Sequence, residues 1–380
     1  MTPDPTLGPG PWGVYVHVPW CRRRCPYCSF YVEVDRGPDH AAYTDAVLRD
    51  LDAARAPFDA LGPPATLFFG GGTPSRLPAD QLARIVRAVA PTGEVSLEAN
   101  PEDLEPATLD ALRAAGVTRL SVGLQTFDQN FARVLNRAST VDQARAALTR
   151  VAATGFTSFS VDLIFGLPGQ TLADLDADLD ALAAVSPPHV ALYGLTYEPG
   201  TPFERARDKG RFRELHEDVW HAMVVRIHER LRALGLQRYE ISNYARPGHE
   251  SAHNQLYWSD RPYLGLGPSA HGYAPDGSRA RQVADLVRWQ AGEPAEIEHP
   301  TPWQAAADLL VSGLRSRDGL CRARLRRRTA LRLDDRLLHT FIDQGLLALD
   351  GDVLRVTEAG VPVADGLVER LADRLLDASA

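Results

Sequence analysis

The chain has 380 residues, with 41 Lys and Arg against 49 Asp and Glu, a net charge of −8. Nucleic-acid-binding chains usually carry a basic surface, so this balance argues against a chain-wide footprint of that kind. No run approaches the roughly 18 apolar residues of a membrane span, and the first residues lack the charged-then-apolar pattern of a secretory signal. A cytoplasmic protein with reduced thiols is expected.

Short apolar runs ending in Gly or polar residues recur from Val14 to Val18, Thr66 to Phe69, Glu94 to Leu97, Arg119 to Leu124, Phe159 to Phe165 and His189 to Tyr193. Amphipathic stretches lie between them: Ala41 to Ala56, Asp80 to Ala90, Ala107 to Ala115, Val141 to Thr154 and Leu172 to Val185. This strand-then-helix alternation predicts an α/β fold with a parallel sheet covered on its faces. Periodicity alone leaves open whether the sheet is flat or curled.

Cys21, Cys25 and Cys28 form a Cys-x3-Cys-x2-Cys loop directly after the first run. A 4Fe-4S cube normally takes four cysteines, so three leave one iron open to a small molecule. A zinc site completed by His17 and a set of unligated thiols are the alternatives. The fourth cysteine, Cys321, lies far away in an arginine-rich stretch and reads as a solitary reduced thiol.

After the second run comes Phe69-Gly-Gly-Gly-Thr-Pro-Ser75, whose glycines let backbone pass close to a ligand. A phosphate loop would end in Gly-Lys-Ser/Thr, and the only lysine of the chain is Lys209. Period-2 faces on the later runs group Ser96 with Glu98, Ser121 with Gly123 and Gln125, and Ser160 with Asp162. These polar residues approach strand C-terminal ends, where parallel α/β folds place their sites.

Beyond Pro202 a helix from Glu214 to Leu234 carries Leu215, Val219, Met223, Ile227, Leu231 and Leu234 as a core stripe, with His216, His221 and His228 at its surface. The segment from Tyr239 to Tyr273 is too irregular for regular elements. It holds Ala252-His-Asn-Gln-Leu-Tyr-Trp258. The last 80 residues suggest a winged-helix shape: helices around Trp303 to Arg315, Cys321 to Leu331 and Asp335 to Gln344, a strand pair around Leu346 to Val356, and a final helix. Arg322, Arg324, Arg326, Arg327 and Arg328 invite a nucleic-acid reading, but a structural or protein-docking role is favoured.

The cysteine spacing, with Tyr27 before the last cysteine, resembles the radical S-adenosylmethionine superfamily. Tyr15-Val-His-Val-Pro, Gly-Gly-Gly-Thr-Pro-Ser, Glu98-Ala-Asn-Pro, Ser121-Val-Gly-Leu-Gln-Thr-Phe127, Leu135-Asn-Arg137 and Asp162-Leu-Ile-Phe-Gly-Leu-Pro-Gly-Gln-Thr171 resemble, in order, one branch of it. That branch holds oxygen-independent coproporphyrinogen III oxidases and the related heme chaperones. The resemblance implies a partial (β/α)6 barrel over 10–205, a helix plus irregular extension over 206–298 and a winged-helix-like domain over 299–380. It implies a 4Fe-4S cluster on Cys21, Cys25 and Cys28. S-adenosylmethionine would contact Tyr15, Tyr27, Gly71, Gly72, Thr73, Glu98, Gln125, Arg137 and Asp162.

Three departures favour the chaperone over the oxidase. Phe30 stands where the oxidase loop has a fourth cysteine, the segment before Cys21 is short, and the His-Asn-x-x-Tyr-Trp element of the chaperones is present. The resemblance then implies haem as a further ligand and haem-requiring respiratory proteins at the membrane as clients. Decarboxylation of coproporphyrinogen III is the alternative, no catalytic residue is assigned, and a homodimer is left open. His253, Tyr257 and Trp258 are the expected haem contacts, the imidazole ligating iron and the rings lying against the porphyrin, with His249 and His271 as substitute ligands. Without the resemblance, the residues of this element read instead as a packed knot supporting the second domain. No Cys-x-x-Cys-His occurs, which excludes c-type attachment.

Overall fold

The computed structural model describes residues 10–34 and 37–378. Six parallel strands lie side by side in chain order: β1 (Gly13–Val18), β2 (Thr66–Gly71), β3 (Val95–Ala99), β4 (Arg119–Gln125), β5 (Ser158–Phe165) and β6 (His189–Gly194). The intervening helices are α1 (His40–Ala54), α2 (Ala79–Val89), α3 (Pro106–Ala114), a short α4 (Gln129–Val134), α5 (Val141–Thr154) and α6 (Leu172–Val185). Two of them begin in capping boxes, Thr140 with Gln143 and Thr171 with Asp174, which satisfy backbone donors left over at a helix start.

Alternation decides which face goes where. Val14, Val16, Val18, Leu67, Phe69, Val95, Leu97, Leu120, Val122, Val161 and Leu163 are buried in the main hydrophobic core. Their neighbours Tyr15, Phe68, Ser96, Glu98, Ser121, Gly123, Ser160 and Asp162 therefore point to the opposite, concave face.

After β6 come α7 (Pro202–Asp208) and α8 (Glu217–Ala233), whose Met223, Ile227 and Leu231 are buried. The segment read as irregular is in fact ordered by pairing: β7 (Asn243–Ala245) runs antiparallel to β6, and β8 (Tyr263–Leu266) runs parallel to β1. Between them lies α9 (Ala252–Trp258), capped by the Ser251 hydroxyl, which accepts from the Asn254 N–H. These elements are only three to seven residues long, too short to show a period, and they exist because the edges of the sheet supply partners. The sheet continues past β8 through three antiparallel strands to Glu296–Glu298 and past β7 to Gln237–Arg238. It stays open, a partial barrel.

A second core forms from Leu309, Leu310, Leu314, Leu338, Phe341, Leu354, Leu367 and Leu371 in the C-terminal helices and the strands Leu347–Asp350 and Val353–Val356. Four of the five clustered arginines are held in ion pairs: Arg322 with Asp335, Arg326 with Asp352, and both Arg324 and Arg328 with Asp260. The arginine run is thus a pairing face. His228 of α8 meets Glu358 of this domain at 3.0 Å.

Candidate active site at the barrel mouth

A cavity of about 460 Å3 opens at the C-terminal ends of the six strands. The three loop cysteines line it together with Tyr27, Gly71, Gly72, Thr73, Glu98, Gln125, Arg137 and Asp162. Residues spread from Cys21 to Asp162 therefore share one space.

The cysteine loop is tied in from two sides. Thr73 Oγ1 donates to Cys21 Sγ at 3.5 Å, and Arg137 Nη1 to Cys25 Sγ at 3.7 Å. Burial pushes the Cys21 thiol up to about 11, with the Thr73 hydrogen bond pulling it down, and raises Cys28 as well. On their own these buried sulfurs favour the thiol; a bound cation stabilises the thiolate. Three sulfurs on one wall, held only by hydrogen bonds from Thr73, Arg137, Tyr27 and the Phe30 backbone, suit a cluster. The zinc alternative fails on His17, whose ring nitrogens are 3.1 Å from the Tyr15 hydroxyl and 2.9 Å from the Tyr31 carbonyl oxygen.

The glycine turn has a reason beyond ligand approach. A Cβ on Gly72 would lie 2.7 Å from the Pro19 backbone, and Gly71 combines a φ of +107° with a Cβ position 2.6 Å from the His17 ring. Only glycine lets the end of β2 lie against the strand that leads into the cysteines.

Two carboxylates stand on the floor. Asp162 accepts from the Ser160 and Ser121 hydroxyls, each at 2.7 Å. Glu98 accepts from the Gly71 N–H at 3.2 Å, and burial, reinforced by Asp162, pushes its carboxyl up to about 8. A cationic ligand would reverse that shift and be held by it. Arg137 donates to Asn100 Oδ1 at 2.6 Å and to the Gly123 carbonyl at 2.5 Å, while its Nε has no partner. An anionic group fits that unused donor.

Gln125 ends β4 in the left-handed region, φ +77°, where the register slips. Asp178 of α6 holds the turn that follows, accepting from the Phe127 N–H at 2.7 Å and the Thr126 hydroxyl at 3.0 Å. Tyr27 packs on Phe203.

Other expected residues lie elsewhere. Tyr15 is absent from the cavity wall and stacks on Phe68 beneath it. His253, expected as a haem ligand, is fully buried at the opposite, N-terminal end of the strands. Its Nδ1 is 2.7 Å from Thr66 Oγ1 and its Nε2 2.8 Å from the Tyr257 hydroxyl. Its ring stacks on Phe68, and burial pushes it down to about 3. Neither nitrogen is open to iron, and the element packs as a knot under the barrel. Trp258 borders a separate small crevice with Tyr239 and Arg317. His249 is bonded to Ser158 at that same end, and His271 is exposed on a flanking strand.

Sequence reasoning passed over Asn100, Tyr193 and Asp178. Asn100 bridges Arg137 and Thr73 and sat inside a quoted motif. Tyr193, a cavity-wall residue 44% exposed, shares its strand face with His189 by period 2. Asp178 had no local signal, since its partners are about 50 positions away.

The chain resembles known proteins over most of its length. Residues 15–182 match the radical SAM superfamily and 301–363 the HemN C-terminal domain. The heme chaperone HemW of Mycobacterium tuberculosis is 36% identical over 96% of this chain and 90% of its own. HemW of Bacillus subtilis is 31% identical over 91% of this chain and 95% of its own. Among solved structures, the Escherichia coli coproporphyrinogen III oxidase HemN, a radical SAM enzyme, superposes with a TM-score of 0.79. It is 24% identical and covers 97% of this chain and 92% of its own, so it shares the fold.

Proposed function

The chain belongs to the HemW family of heme chaperones within the radical SAM superfamily, and from that premise we propose that it binds haem and passes it to haem-requiring respiratory proteins at the membrane. It carries a 4Fe-4S cluster and S-adenosylmethionine. Cys21, Cys25 and Cys28 hold the cluster, and Tyr27, Gly71, Gly72, Thr73, Glu98, Gln125, Arg137 and Asp162 hold S-adenosylmethionine beside it. Tyr15 supports that floor from below. When bound, the cluster supplies one-electron chemistry and an iron open to a small ligand.

The chain's own groups divide the work. Glu98 and Asp162 offer carboxylates to the ammonium and hydroxyl groups of the cofactor, and Arg137 offers its unused Nε–H to a carboxylate. Among the described residues no helix is long and apolar enough to cross a membrane, so a membrane client is met at its surface. We place the protein in the cytoplasm.

One observation carries the chaperone reading over oxidative decarboxylation. The three-cysteine loop opens onto a cofactor-sized cavity, and Phe30, not a thiol, stands on its rim. Anaerobic incubation of the reconstituted protein with coproporphyrinogen III is expected to give no protoporphyrinogen, while titration with haemin gives a saturable shift of the Soret band. Appreciable protoporphyrinogen formation would return the oxidase reading.

A further inference from the structure

The rim of the cavity carries side chains that neither the cluster nor S-adenosylmethionine employs. Phe30 is 63% exposed, the most exposed ring among the large apolar side chains of the described residues. It shares the rim with Arg22, Arg23 and Arg24, all exposed. Arg22 is committed, donating to Asp103 at 2.7 Å. Arg23 and Arg24 also border the cavity, and among the described residues neither is paired with an acid. That contrasts with most arginines of this chain, which are answered by Asp or Glu.

Two free guanidinium groups beside a bare phenyl ring make a surface of mixed character. The guanidinium fork matches a carboxylate; the phenyl ring offers a flat apolar face. A ligand that answers both is planar, apolar over most of its area and dianionic along one edge. The wall below the rim is taken up by the cysteines and the cofactor-facing residues, so such a ligand lies across the mouth. His253, closed off at the far end of the strands, offers no competing place.

We propose that haem lies across the barrel mouth, with its ring on Phe30 and its two propionates on Arg23 and Arg24. The inference rests on the haem-binding reading above and adds where, and by which groups, haem is gripped. Recognition then comes from the propionate edge and the ring face. Haem in this position roofs the cofactor cavity, so the two ligands are neighbours.

The test compares haemin with haemin dimethyl ester, whose propionates carry no charge, on the reconstituted full-length protein by anaerobic Soret titration. Wild type is expected to prefer haemin by roughly five-fold or more, as expected when charge-assisted contacts are lost. Arg23→Glu should erase that preference, and Phe30→Ser should weaken both ligands alike. Cluster iron is quantified in each variant. The ester comparison needs no variant, so a folding defect cannot stand in for the result. Equal binding of haemin and ester by wild type, with both variants unchanged, would overturn the rim site while leaving haem binding intact. A wild type that binds no haemin would overturn the haem-binding reading itself, and the rim site with it.

Discussion

Arg137 Nη1 lies 3.7 Å from Cys25 Sγ while the Nη2 of the same guanidinium donates to Asn100 Oδ1 at 2.6 Å. One planar cation thus spans the cysteine loop and the end of β3. Arg137→Met is expected to weaken S-adenosylmethionine binding by about 1.5 to 3 kcal/mol, the range for a hydrogen bond to a charged group. It should also make the cluster easier to bleach in air. Calorimetry and iron release measured on the same preparation check both.

Cys21→Ala, Cys25→Ala and Cys28→Ala are each expected to abolish the roughly four irons per chain of a 4Fe-4S centre. Cys321→Ala should leave them, because Cys321 sits in the C-terminal domain, 3.9 Å from Asp352. Iron and sulfide quantification after anaerobic reconstitution decides it. Loss of iron in Cys321→Ala would mean that the open-iron arrangement is wrong.

Asp178 touches no ligand, yet it fixes the turn behind Gln125 through the Phe127 N–H and the Thr126 hydroxyl. Asp178→Ala leaves two donors without their partner, at about 1 to 3 kcal/mol for each buried group left unsatisfied. The expected result is a lower Tm together with weaker S-adenosylmethionine binding. Asp178→Asn, which keeps one acceptor oxygen, should be milder in both. A variant with lowered Tm and unchanged cofactor affinity would show that the turn is positioned without this residue.

The buried histidine under the barrel gives the protein a pH dependence. The unfolded chain protonates this ring below about 6.5, whereas in the folded chain burial holds His253 down to about 3. Stability therefore falls as pH drops from 6.5 towards 3, by about 1.4 kcal/mol per unit for one such group. His17 and His189, also lowered by burial, act in the same direction. His253→Gln is expected to be less stable at pH 7 but to lose less between pH 7 and 5, read from urea unfolding at each pH. It should bind haem as wild type does; a changed Soret band in the folded variant would make His253 a ligand after all.

Much of the barrel was legible because period 2 speaks for itself: Val161 and Leu163 alternate with Ser160 and Asp162, and the polar pair could only face inwards once helices covered the other side. Cys21, Cys25 and Cys28 were legible as a set because they are close in sequence. His253 was not. Its local pattern brings it to Tyr257, four residues on along a helix, but which end of the barrel receives that helix depends on β8 pairing with β1, a long-range choice with no short-range trace. Tyr15 was misplaced for a related reason. Its strand face was readable, but its depth along that face was not, and depth decides between wall and foundation.

Asp260 closes α9 at a φ of +54° and receives both Arg324 and Arg328 from the C-terminal domain. Two cations on one nearly buried carboxylate make a stiff joint, because withdrawing either leaves charge stranded away from water. The C-terminal domain is therefore fixed to the N-terminal end of the barrel, and the joint runs on through α9, whose His253 meets Thr66 at the start of β2, the strand whose other end carries the glycine turn.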